Sequence, residues 1–186
     1  FSGHEMAGIK LHASIDVTIR DNHIHHCICG LWMDWQTQGT RINANLLYEN
    51  VSEDIFVEVS HGPYVIDHNI MLSDVAFRNR SQGGAIVHNL IGGCINVAQV
   101  LHRYTHYHYP HSTAVAGMMT IMNGDDRYYN NVFVTRKRTD TAADGAGNDT
   151  ADPRTDMGLA VYDAFPRDCD PWHPVSKTGP GRYNEQ

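Results

Sequence analysis

Cysteine is scarce here: four residues in 186, none in a CxxC pair. That excludes a disulfide-stapled scaffold and leaves buried free thiols as the reading of Cys27, Cys29, Cys94 and Cys169. Charge is also sparse, at 19% of residues, and the basic side is the poorer one, with 14 Lys and Arg against 21 Asp and Glu. A net charge of −7 argues against nucleic acid and anionic membrane surfaces as main partners. No run of about 18 apolar residues offers a membrane span. No charged start followed by an apolar segment marks a secretory signal. Thiols without disulfides point to a reducing, cytoplasmic setting. The chain opens on Phe1 rather than Met, and its first motif begins at Gly3, so a piece of a longer protein is expected.

What the sequence has is repetition. Val17–Ile24, Thr40–Leu47, Tyr64–Met71 and Ala85–Ile91 each read as a short apolar strand, a polar pair ending in Asn, and a second short strand. The asparagines are Asn22, Asn45, Asn69 and Asn89, spaced 23, 24 and 20 residues apart, and Tyr128–Val134 looks like a fifth copy. Leucine-rich repeats share the period but need a Leu-x-x-Leu-x-Leu frame, which is absent. The expectation is an all-β chain folded as a right-handed parallel β-helix, with coils of about 20–24 residues built from short strands stacked about 4.8 Å apart. A β-sandwich with Asn-containing turns is the alternative. Asn at one turn is expected both to take the left-handed conformation and to form a ladder of stacked amides. Insertions are expected at residues 101–127, rich in His and Tyr, and at 137–157. The tail 166–186 has no periodicity and is left unassigned.

Further strands accompany the repeats: Gly8–His12, Gly30–Asp34 and Asp54–Glu58. Aligning their apolar residues puts His12, Asp34 and Glu58 on consecutive coils, with offsets of 22 and 24. Two carboxylates one rung apart suit glycoside chemistry. Retaining glycosidases hold their carboxyls about 5–5.5 Å apart and inverting ones about 6.5–9.5 Å. Exposed acids at strand ends can equally be solubilising.

The strings Gly30-Leu31-Trp32-Met33-Asp34-Trp35-Gln36-Thr37-Gln38-Gly39-Thr40-Arg41 and Asp54-Ile55-Phe56-Val57-Glu58-Val59-Ser60-His61-Gly62-Pro63 resemble the active-site strands of glycoside hydrolase family 120. Gly3-His4-Glu5 and Tyr107-His108-Tyr109-Pro110-His111-Ser112-Thr113 are similar to it too. The resemblance implies a retaining β-xylosidase on a parallel β-helix, with earlier coils and a β-sandwich domain outside this chain. It implies Asp34 as nucleophile and Glu58 as general acid/base. It also implies that Glu5 holds a sugar hydroxyl, with His4 beside it. The implied substrate is a xylo-oligosaccharide cut at its non-reducing end. Self-association of the full-length protein is left open.

Other residues have two readings each. His61 is a sugar-hydroxyl donor or a turn residue fixed by Gly62-Pro63. His12 tunes Asp34 or belongs to a polar ladder. Trp35 stacks on a sugar ring or fills the core. Of Trp32 and Met33, one faces inward. The groups His23/His25/His26 and His106/His108/His111 could suggest a metal, but strand alternation explains the first and a loop over the active-site face the second. No metal and no cofactor is expected. Two other functions compete: a polysaccharide lyase, and a non-catalytic carbohydrate-binding β-helix. The lyase is weakened by the expectation that no basic residue sits on the Asp34/Glu58 rungs.

Overall fold

The computed structural model describes residues 5–123 and 125–134. His4, Cys169, the 137–157 insertion and the 166–186 tail lie outside the described residues. Among the described residues every regular element is a β-strand, and no helix is long and apolar enough to cross a membrane.

The chain winds as a parallel β-helix. The first coil contributes β1 (Ala7–Leu11), β2 (Thr18–Arg20) and β3 (His23–His25). The second contributes β4 (Cys29–Met33), β5 (Arg41–Asn43) and β6 (Leu46–Tyr48). Then come β7 (Glu53–Asp67) with β8 (Ile70–Met71), and β9 (Val75–Val87) with β10 (Leu90–Ile91). β11 (Cys94–Val97) stacks on β9. An antiparallel hairpin follows, β12 (Val100–His108) and β13 (Val115–Ile121). β14 (Arg127–Tyr129) and β15 (Val132–Phe133) then resume the parallel stack on β9 and β10.

Apolar residues one coil apart fill the interior in columns. Ile9, Leu31, Ile55, Phe77 and Ile95 form one column, and Leu11, Met33 and Val57 the next. Ile19, Ile42, Ile66 and Ile86 line a third, and Ile24, Leu47, Met71 and Ile91 a fourth. Each Leu, Ile or Met buried this way contributes about 1.5–3 kcal/mol. The columns also fix register, because a slip of one residue would turn every apolar side chain outward.

The Asn ladder is present, and its geometry corrects one expectation. Asn22 Nδ2 donates to Asn45 Oδ1 (2.9 Å), Asn45 Nδ2 to Asn69 Oδ1 (2.9 Å), Asn69 Nδ2 to Asn89 Oδ1 (3.0 Å) and Asn89 Nδ2 to Asn131 Oδ1 (3.0 Å). The left-handed residues are not these asparagines but the ones before them: Asp21, Ala44, His68, His88 and Asn130, with φ between 52° and 57°. The preceding residue makes the bend. The Asn turns its amide inward, where it satisfies the neighbouring coil's backbone as well as the next Asn.

Strand lengths differ from expectation too. β7 and β9 run through the corner of the coil as strands of 15 and 13 residues, so His61-Gly62-Pro63 lies within β7 and not in a turn. Gly62 and Gly83 allow this by close backbone approach: a Cβ on Gly62 would stand 2.2 Å from the Gly83 carbonyl oxygen. The stretch expected as a loop at 101–127 is mostly the β12–β13 hairpin.

Candidate functional site

The outer face of the large sheet carries two adjacent rows of side chains. Leu11 pairs with Met33 and Met33 with Val57, so His12, Asp34 and Glu58 follow them on neighbouring rungs, and Glu58 pairs with Arg80. Two positions earlier on each strand lie Lys10, Trp32, Phe56 and Arg78, also mutual partners across the strands. Asp34 and Glu58 thus occupy adjacent rungs of one face, with backbones about 4.8 Å apart.

The two carboxylates have separate partners. Asp34 Oδ2 lies 2.9 Å from Lys10 Nζ and 3.2 Å from His12 Nδ1, while Oδ1 accepts the Trp35 backbone N–H at 2.7 Å. Burial works against ionisation of Asp34. The Lys10 ammonium, the Trp35 N–H and His12 outweigh it and hold the carboxyl below its ordinary range. Lys10 also pairs with Glu5, which joins the exposed Glu5 to the site. Glu58 Oε2 accepts the Trp32 indole N–H at 3.0 Å, and Oε1 lies 2.7 Å from Arg103 Nη1.

These contacts correct the expectation that no basic residue reaches the rungs. Arg80 stands on the rung next to Glu58, buried at 3% exposure, with its guanidinium donating to the Asn79 and Asn96 carbonyls. Lys10 reaches Asp34 diagonally from the neighbouring strand, and Arg103 arrives from the hairpin. Lys10 and Arg103 are paired with carboxylates and Arg80 is buried, so none stands ready as the free base a lyase needs. The open alternative for Trp32 and Met33 also resolves. Met33 is buried at 1% exposure and Trp32 faces outward.

The hairpin packs across this face. Val59, directly after Glu58, has φ 45°, a conformation β-branched residues avoid. Its side chain is fully buried with Val100 and Ile121, and Trp35 packs against that cluster. Strain of this kind persists only where the surroundings impose it. Gln38 exchanges two hydrogen bonds with the His108 backbone, both 3.0 Å. His111 Nδ1 lies 3.0 Å from Asp16 Oδ2.

Trp35 and His61, read as candidate sugar contacts, both sit beneath the hairpin. Trp35 is half-buried and donates its indole N–H to the Tyr104 carbonyl at 3.1 Å. His61 is only 2% exposed, so in place of a cleft-facing donor it is an interior residue. Its ring meets Tyr107 edge-on at 5.7 Å, and its Nδ1 lies 3.3 Å from Gln82 Nε2. Burial, reinforced by nearby His108 and only partly offset by backbone carbonyls, lowers its pKa to about 4 and keeps the ring neutral. His12, by contrast, is exposed beside Asp34.

Sequence reasoning missed Lys10 and Arg103, and it left the direction of Trp32 open. Period-two alternation puts Lys10 and Trp32 on the outward face with His12 and Asp34, but it does not give their diagonal contacts. Nothing local marks Arg103, which lies 45 residues from Glu58. Among the described residues no three His, Cys, Asp or Glu side chains converge as a metal site.

Among solved structures, the chain is similar to XylC in its complex with xylose, with 60% sequence identity over 72% of this chain and a TM-score of 0.70. The chain spans 21% of the length of that protein. No family model and no curated protein matches it.

Proposed function

We propose that this chain holds the catalytic carboxylates of a retaining exo-β-xylosidase of the glycoside hydrolase family 120 type. The observation that carries this is the placement of Asp34 and Glu58 on adjacent rungs of one face, each with its own partners. Rung spacing suits the short carboxyl separation of retaining enzymes, about 5–5.5 Å. The similarity to XylC, solved with xylose, supports a xylose-terminated substrate.

In the proposed reaction Asp34, kept ionised by Lys10, attacks the anomeric carbon of a terminal β-xylosyl unit. Glu58 donates its proton to the departing oxygen. Glu58 then takes a proton from water as that water releases the sugar from Asp34. Glu5 and His4 hold sugar hydroxyls, and His12 steadies Asp34. Trp35 and His61 support the hairpin that crosses the site. The substrate is a xylo-oligosaccharide in a cytoplasmic setting, and no cofactor takes part.

The test uses the intact protein and an aryl β-xyloside. Asp34→Ala and Glu58→Ala each abolish turnover. Azide restores Glu58→Ala and yields the β-xylosyl azide. Near-normal activity in either variant removes the assignment.

A further inference from the structure

Lys10, Trp32, Phe56 and Arg78 form a continuous stack along the row beside the carboxylates. Lys10 Nζ sits 3.7 Å from the Trp32 ring centroid. The Trp32 and Phe56 rings stack at 5.5 Å and 26°. The Arg78 guanidinium carbon lies 4.5 Å from the Phe56 centroid. Two aromatic rings are thus held between two cations, one rung apart at each step. Cation–π and ring–ring contacts add to the area they bury. The rings leave the indole N–H as the stack's donor at its edge, and it points at Glu58 Oε2.

Resting on the glycosidase reading above, we infer that Trp32 is the positioning residue of the acid/base, and that it divides the labour of the two Glu58 oxygens. Oε2 is the anchored oxygen, fixed by an indole that the stack holds still. Oε1 is the oxygen that carries and delivers the proton. Oε1 is paired with Arg103, whose side chain is 44% exposed on the hairpin. Arg103 is therefore an exchangeable counter-ion, displaced when Glu58 is protonated and the substrate enters, whereas Trp32 stays. In the acid step the Oε1–H bond breaks and the proton passes to the glycosidic oxygen. That oxygen keeps the electron pair of its breaking bond to the anomeric carbon, while Asp34 forms the new bond to that carbon.

The test is Trp32→Phe in the intact protein, which keeps a ring for Lys10 and Phe56 but deletes the N–H. On xylobiose, whose leaving group needs a proton, kcat/KM falls about 10- to 100-fold, the loss expected for one hydrogen bond to a charged group. On a dinitrophenyl β-xyloside, whose leaving group needs none, kcat/KM is unchanged. Phe56→Leu keeps the donor but removes the ring beneath it, and gives a smaller loss with the same dependence on leaving group. This variant also carries the test if Trp32→Phe does not fold. An equal loss on both substrates, or no loss on either, overturns the positioning role. Wild-type protein that turns over neither substrate overturns the glycosidase reading instead, and the inference falls with it.

Discussion

Lys10 Nζ lies 2.9 Å from Asp34 Oδ2, although the two residues belong to different coils. The ammonium is held over the Trp32 ring as well, so its position is set from two sides. It offsets the burial that would otherwise favour a protonated Asp34. The sign of its removal follows. A nucleophile must be ionised, so activity is lost as pH falls through the Asp34 pKa. Lys10→Met keeps the stem over Trp32, removes the charge and lets that pKa rise. The acidic limb of the kcat/KM profile therefore moves to higher pH. A limb that stays in place shows that Lys10 does not govern Asp34.

The Asn ladder makes a graded stability prediction. Asn69 is 1% exposed, donates to the Ile42 carbonyl and to Asn89, and accepts both the backbone N–H and the side chain of Asn45. Asn69→Ala strands several buried groups and costs about 2–4 kcal/mol. Asn22, at the ladder's end, donates to the Arg20 carbonyl and to Asn45, whose oxygen keeps the Asn22 backbone N–H as a donor after truncation. Asn22→Ala costs about 1 kcal/mol. Urea midpoints measure both, and equal losses contradict the ladder account.

His61 predicts how stability varies with acid. Its pKa is lowered from 6.5 to about 4 in the folded chain, so the unfolded chain binds the proton more readily. The contribution of the neutral ring is full above the unfolded value. It declines as pH falls from 6.5 toward 4, by about 3 kcal/mol for a group this buried. His61→Gln flattens that part of the curve. Denaturant titrations across this range check it, and a wild-type curve with the variant's slope removes the claim.

Trp35 separates two readings of one residue. As the hairpin's anchor, Trp35→Ala loosens β12, and trypsin then cuts faster at Arg103. As a sugar platform alone, the same change raises KM and leaves the cleavage rate untouched.

The carboxylate pair was legible because register in a solenoid is a counting problem. Leu11, Met33 and Val57 are alike enough to align three coils, and His12, Asp34 and Glu58 follow automatically. The Asn ladder was legible for the same reason. Its left-handed residue was not, since Asp21, Ala44, His68, His88 and Asn130 share no chemistry: the ladder's hydrogen bonds impose the conformation and no glycine advertises it. Lys10 and Trp32 act diagonally across strands, which depends on side-chain direction that spacing alone does not give. His61 carried two readings, a sugar-hydroxyl donor or a turn residue fixed by Gly62-Pro63, and the turn was on offer because Gly-Pro so often makes one; here the glycine serves close packing within β7. Arg103 was hidden by the insertion that carries it, because hairpin docking is set by buried contacts such as Val59 with Val100.

The most direct test of the central claim is covalent trapping. The intact protein is incubated with a 2-deoxy-2-fluoro-β-xylosyl fluoride, digested, and mapped by mass spectrometry. A retaining pair with Asp34 as nucleophile predicts one fluoroxylosyl group on the peptide bearing Asp34, absent in Asp34→Asn. A label on another carboxylate, or unlabelled protein that still hydrolyses xylosides, contradicts it.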